Sequence, residues 1–215
     1  MTVLKVGIIG CGGIARGKHF PSLAQVKEVE MVAFCDIVLE RAEEAQEQYG
    51  TADSQVFSDY KEMLAAMDLD VVHVCTPNIS HAEISIAALE AGNHVMCEKP
   101  MAKTTAEARE MIEVAKRTGK KLTIGYQNRF ATESRYLQEV CAAGELGEIY
   151  SAKAHAIRRR AVPTWGVFLD EEAQGGGPLI DIGTHALDLT LWMMDNYKPK
   201  YVVGKTYHEL AKTEN

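Results

Sequence analysis

The run Gly10-Cys11-Gly12-Gly13-Ile14-Ala15 constrains the fold more than any other feature of this 215-residue chain. It matches GxGxxG/A, directly follows the apolar run 4–10, and opens a helical pattern, which is the context that gives the motif its meaning. Gly10 permits a tight turn, Gly12 lets backbone approach a pyrophosphate, and Ala15 lets the helix lie close to the strand. Gly13 and Ile14 complete the loop against the same ligand. The helix N-terminus adds N–H groups and the positive end of a dipole to the anion. Asp36 ends the second apolar run, 31–35. An acid there accepts hydrogen bonds from adenosine ribose hydroxyls and repels a 2′-phosphate, so NAD is expected over NADP. Arg16 and Arg41 soften that preference.

Further short apolar runs lie at 71–75, 94–97 and 122–125, as expected of parallel strands buried on both faces. Amphipathic segments separate them. Ser80 and Glu83 read as a capping box, with Ile84, Ala87, Ala88 and Ala91 at helical spacing and Gly92 as the stop. Thr104 and Glu107 repeat the device, ahead of the stripe Ala108, Met111, Ile112 and Ala115, and Gly119 ends that helix. Val38, Ala42, Ala45 and Tyr49 mark another, ending at Gly50. Strand–helix alternation predicts a doubly wound parallel sheet over residues 1–125.

The pattern changes after Tyr126. A helix around 132–142, a strand-like stretch 148–160, an irregular segment 161–177, a helical segment 178–194 and a strand candidate 200–207 predict an α+β domain over 126–215, with an antiparallel sheet. Two strands with one apolar face are marginal alone, so this half is expected to be a truncated domain or one completed by another chain.

The net charge of −7 argues against nucleic acid as a general partner, because phosphate binding needs a basic face. Arg158-Arg159-Arg160 runs against that trend, either as alternate faces of a surface strand or as an anion contact. No apolar run approaches the ~18 residues of a membrane span, and the N-terminal segment has no signal-peptide form. Five cysteines without a CxxC pair suggest neither a metal site nor a disulfide framework, and a reducing cytoplasm is expected. Cys35, Cys75 and Cys97, at the ends of apolar runs, read as buried thiols.

Taken in order, GCGGIA, Cys75-Thr76-Pro77-Asn78 with His81, Glu98-Lys99-Pro100, and Gly175-Gly176-Gly177-Pro178-Leu179-Ile180-Asp181-Ile182-Gly183-Thr184-His185 resemble the Gfo/Idh/MocA family, the glucose–fructose oxidoreductase and inositol dehydrogenase type. The resemblance implies a Rossmann domain followed by a domain built on an open antiparallel sheet. It implies oxidation of a secondary alcohol of a sugar, inositol or related polyol, with a homo-oligomer expected of full-length members.

By the same resemblance, Lys99 hydrogen-bonds the reacting oxygen and helps organise the nicotinamide, beside Glu98. An ammonium there stabilises negative charge developing on that oxygen. His185 is implied as general base, with an ordinary pKa of ~6.5 close to working pH. Asp181 is implied to orient substrate hydroxyls, and its spacing to His185 and Asp188 puts all three on one helical face. Asp188 reads as a structural hydrogen-bonder. Thr76, Pro77 and Asn78 are implied dinucleotide contacts, and His81 is either another or a helix-surface residue. Gln127 and Arg129 are implied to touch cofactor or substrate, the alternative being a structural hinge. Trp165, with Arg158 and Arg160, either shapes the substrate pocket or anchors its own loop. Two other functions stay open: an NAD-using glycosidase, and a non-catalytic dinucleotide or sugar sensor.

Overall fold

In the N-terminal half, apolar residues on successive strands fill both faces of one parallel sheet. The computed structural model describes residues 3–157, 159 and 162–207, and the chain divides into two units, Met1–Gly125 and Tyr126–Asn215. The first contains β1 (Leu4–Ile9), a π-helical turn (Ala15–His19) running into α1 (Phe20–Leu23), β2 (Val29–Cys35), α2 (Leu39–Tyr49), β3 (Gln55–Phe57), α3 (Tyr60–Ala66), β4 (Val71–Val74), α4 (His81–Glu90), β5 (His94–Glu98), α5 (Thr105–Thr118) and β6 (Leu122–Gly125).

The strands form one sheet in the order β3-β2-β1-β4-β5-β6, every pairing parallel. Alternate residues of β1 serve opposite faces. Val6 and Ile8 pack with Phe20, Phe34 and Ala42 on one side, whereas Ile9 joins Val72, Val95, Leu89 and Met111 on the other. The order reverses between β1 and β4, and ligands bind outside the carboxyl ends of the strands at such a switch point.

Helix ends follow local chemistry. Thr104 and Glu107 make the expected capping box, and Gly119 stops α5 in the left-handed region at φ 69°. The Ser80–Glu83 box does not form. A 3-10 turn, Asn78–Ser80, feeds directly into α4, which leaves Ser80 in near-helical backbone rather than the extended geometry of a cap. Its hydroxyl turns back to Thr76 Oγ1 at 2.8 Å and the Pro77 carbonyl at 2.9 Å. Edge strand β3 and helix α3 are additions to the sequence reading. β3 has three residues, too few for a period, and α3 is started by Asp59, whose carboxylate accepts the Lys61 N–H at 2.6 Å.

The second unit holds α6 (Thr132–Ala142), the short α7 (Glu171–Gln174), a π-helical turn (Leu179–Gly183) and α8 (Thr184–Met194). The described parts of 148–160 and 200–207 are not strands, so the expected antiparallel sheet, read as incomplete from the sequence, is not shown among the described residues. Strand geometry is held by a paired ladder, and neither stretch has one among the described residues. Their apolar side chains, including Tyr150, Ile157, Tyr201 and Val203, are accordingly exposed.

Candidate active site

The loop after β1 is built around Gly10. Its φ is 94°, and a Cβ there would lie 2.7 Å from the carbonyl carbon and oxygen of Cys75 and 2.9 Å from the Thr76 nitrogen. Only glycine fits that conformation and that closeness to the neighbouring strand end. Gly12 and Gly13 face open space, where an added Cβ meets nothing within 4 Å. Beyond them Arg16 N–H donates to Gly12 O at 3.0 Å, and Ala15 is fully buried against the sheet. Bare backbone at a helix N-terminus, open on its outer side, fits a pyrophosphate. Ile14 lies partly exposed at the same helix start.

Asp36 ties this loop to the end of β2. Its Oδ2 accepts the Cys11 N–H at 2.8 Å and its Oδ1 the Val38 N–H at 2.9 Å, at 7% exposure. Each oxygen retains acceptor capacity for a ribose hydroxyl. Arg16 donates through Nε to the Cys11 carbonyl and pairs with Glu44 at 2.6 Å, while Arg41 Nη1 lies 3.9 Å from Asp36. Arg41, not Arg16, is thus the arginine beside the Asp36 carboxylate.

His81 lies neither at the surface nor loosely in a loop. It is 1% exposed, with Nδ1 2.7 Å from the Pro100 carbonyl and Nε2 2.8 Å from the Thr76 carbonyl. It pins together the two turns that carry Thr76-Pro77-Asn78 and Glu98-Lys99-Pro100. Burial pushes its pKa down, against the pull of the two carbonyls. Pro77 is exposed and Asn78 is buried.

At the end of β5, Glu98 meets two histidines that sequence reasoning missed. Glu98 Oε1 lies 2.8 Å from His19 Nε2, Glu98 Oε2 accepts the Lys99 N–H at 3.1 Å, and His19 Nδ1 lies 2.9 Å from His73 Nδ1. His19 comes from the π turn behind the phosphate loop and His73 from β4, so strand order, not spacing, brings them together. The one available signal was a histidine inside an otherwise apolar strand, His73. Burial alone would raise the Glu98 carboxyl, but hydrogen bonds and charge from His19 and Lys99 outweigh it and hold it below its ordinary value. Burial, reinforced by His19, pushes His73 down to about 4 from 6.5.

The His73 shift carries a stability consequence. Between pH 6.5 and about 4 the unfolded chain binds this proton and the folded chain does not, so stability falls as pH drops through that window. Discounted for partial exposure, the loss is about 2 kcal/mol. Urea unfolding at pH 7 and pH 4 checks it: His73→Gln should lose less stability than the unmodified chain, and equal losses in the two would contradict the assignment.

The second unit organises its own residues around α8. Tyr126 hydroxyl lies 2.8 Å from Thr184 Oγ1, and the Tyr126 ring meets the His185 ring edge-on at 6.0 Å. Arg129 grips Asp188 with two hydrogen bonds, the Nε–Oδ2 one at 2.8 Å, and its guanidinium lies over Trp192 at 5.2 Å. This clamp, which raises the Arg129 pKa, joins the turn Gln127–Phe130 to α8. Gln127 is exposed on the same turn. His185 is 6% exposed in the first turn of α8. Asp181 sits in the π turn before it, so the simple α-helical face expected for Asp181 and His185 is re-registered. Trp165 is 60% exposed and packs edge-on against Phe168 of its own loop, 5.6 Å between centroids. Arg158 and Arg160 lie outside the described residues.

Comparison with known proteins meets this geometry from another side. Residues 4–126 match the family model described as "Oxidoreductase family, NAD-binding Rossmann fold", and residues 134–214 match "GFO/IDH/MocA C-terminal domain". The chain is 47% identical over 208 residues to D-glucoside 3-dehydrogenase of Escherichia coli, covering 97% of this chain and 59% of that protein. It is 31% identical over 213 residues to inositol 2-dehydrogenase of Salmonella typhimurium, covering 98% and 60%. The crystal structure of the WlbA dehydrogenase from Bordetella pertussis in complex with NADH and UDP-GlcNAcA superposes with a TM-score of 0.80 at 26% identity, covering 89% of this chain and 55% of that one. The chain therefore spans about three fifths of the length of the curated relatives it matches. Glycine loop, strand order, both family matches and these relatives agree: the chain belongs to the Gfo/Idh/MocA oxidoreductase family.

Proposed function

We propose that this chain is an NAD-dependent oxidoreductase acting on a secondary alcohol of a sugar or related polyol, with D-glucosides as the first substrates to try. The observation that carries the reading is convergence at the β1/β4 switch point. The bare glycine loop, the acid Asp36 and the Glu98-Lys99 turn all lie at carboxyl ends of neighbouring parallel strands. When bound, NAD supplies the hydride acceptor. In this reading residues 1–125 bind the dinucleotide and 126–215 serve the substrate. Gly10, Gly12, Gly13, Ile14 and Ala15 receive the pyrophosphate, and Asp36 the adenosine ribose. Thr76, Pro77, Asn78 and Glu98 shape the nicotinamide end around Lys99. Lys99 donates to the reacting oxygen and stabilises negative charge on it. His185 takes the hydroxyl proton, and Asp181 orients neighbouring hydroxyls. Gln127 and Arg129 face cofactor or substrate, with Arg129 also clamping α8 through Asp188, and Trp165 offers a face for a sugar ring. The five free cysteines fit a reducing cytoplasm. A homo-oligomer is part of the same reading.

The test is NAD reduction, followed by absorbance, with a panel of D-glucosides and inositols, alongside NADH and NADPH binding by fluorescence titration. Substrate-dependent NADH formation and tighter NADH than NADPH binding are expected. Dinucleotide binding with no turnover on any member would replace the reading with a sensor. Release of free sugar without net NADH would replace it with a glycosidase.

A further inference from the structure

We propose that His19 is a positioning residue for Lys99, acting through the Glu98 carboxylate. Three observations carry this. First, His19 ends a π-helical turn, Ala15–His19, directly behind the phosphate loop, and it is 6% exposed. Turns of this kind concentrate at functional sites because they re-aim a side chain within an otherwise regular helix. Second, the Glu98 oxygens have divided duties. Oε1 faces His19 Nε2 at 2.8 Å, and Oε2 accepts the Lys99 N–H at 3.1 Å. The backbone from which the Lys99 side chain departs is thus set by a carboxylate that His19 aims. Third, Glu98 packs closely over β6. A Cβ on Gly125 would lie 3.1 Å from its Oε1, so only the bare glycine gives the carboxylate this position.

Tautomers follow from the same contacts. Glu98 is a carboxylate and accepts only, so His19 Nε2 carries a hydrogen. In the neutral pair, His19 Nδ1 is then the acceptor, and His73 Nδ1–H donates to it across 2.9 Å. His73 on β4 fixes the His19 ring as His19 fixes Glu98, an arrangement in which an outer partner sets a ligand's tautomer and orientation. The line runs from the helix that opens at the phosphate loop to the turn that carries Lys99. The importance of Lys99 rests on the proposed function; the chain of contacts does not.

Two substitutions place the donor differently. His19→Gln can keep a donor near the Nε2 position and so reach Glu98. His19→Asn keeps one near Nδ1 and abandons Glu98. Competitive acetylation of the cofactor-free chain with trace acetic anhydride, read by peptide mass spectrometry, compares Lys99 with surface lysines such as Lys116 in the same sample. His19→Asn should change relative Lys99 reactivity by about threefold or more, within what one charge-assisted hydrogen bond can carry, and His19→Gln should restore it. Equal Lys99 reactivity in the two variants would overturn the proposal, whatever their melting temperatures. Should His19→Asn fail to fold, Glu98→Gln must produce the same Lys99-specific change, and an unchanged Lys99 there overturns the proposal equally. NADH titration of the unmodified chain runs in parallel. If NADH does not bind, the functional reading falls, while the acetylation ratio still decides the role of His19.

Discussion

Replacing Gly10 by alanine is expected to cost the fold on the order of 4 kcal/mol, from left-handed backbone and a steric clash together. The left-handed conformation at φ 94° contributes the first part, about 1–2 kcal/mol for a residue with a Cβ. The clash contributes the rest. The new Cβ would press on the Cys75 carbonyl at 2.7 Å, and neither side can retreat cheaply. Gly10 N–H is bonded to Cys35 O at 2.8 Å, and Cys75 N–H to Ile9 O at 2.8 Å, so both partners are fastened to the sheet. A domain of this size holds only about 5–15 kcal/mol in total, so the loss is a large share. Gly12→Ala provides the contrast. An added methyl there meets nothing within 4 Å and φ is not positive, so unfolding should be nearly unchanged while NADH affinity falls, because the backbone can no longer approach the pyrophosphate closely. Urea unfolding and fluorescence titration of both variants make the comparison. A Gly10→Ala protein within about 1 kcal/mol of the unmodified chain would show that the loop is not as tightly built as the contacts say.

That loop was also the most legible part of the sequence, and the reason is physical. The glycine pattern encodes backbone conformation and closeness, which are local properties. The strands around it were readable because parallel strands buried on both faces become near-continuous apolar runs, as at Met31–Cys35 in β2. Thr104 and Glu107 were readable because a capping box is a three-residue device. Ser80 and Glu83 carry the same spelling, yet the preceding 3-10 turn leaves Ser80 without a cap's backbone. Spacing alone does not contain that information. Residues 200–207 show the opposite failure. Tyr201, Val202 and Val203 have the composition of a strand, but composition cannot supply the neighbour that a ladder needs. His19 and His73 escaped for a third reason. They stand 54 residues apart, and only the placement of β4 and β5 beside the π turn makes His73 a partner of His19 and His19 a partner of Glu98.

Lys99→Met should lower kcat/KM by roughly 10²–10³, the loss seen when one donor aimed at a developing oxyanion is removed. The prediction depends on the proposed function, and its strength is that the substitution separates charge from shape. Methionine keeps the length of the methylene stem and deletes the ammonium. Lys99 is only partly buried, so little packing is lost and the fold should tolerate the change. One electrostatic side effect is expected: the Lys99 charge helps to hold the Glu98 carboxyl low, so Glu98 should titrate somewhat higher in the variant. His19 and the Lys99 backbone N–H remain as its partners, which keeps Glu98 an acceptor near neutral pH. Lys99→Arg tests the geometric half. It preserves the positive charge but spreads it over a planar fork with a different reach, so it should recover little of the lost rate. If charge alone mattered, arginine would restore most of the activity and methionine would not. If both variants turned over within tenfold of the unmodified chain, Lys99 would not be the group on the reacting oxygen, and the donor would have to be sought elsewhere along the strand ends.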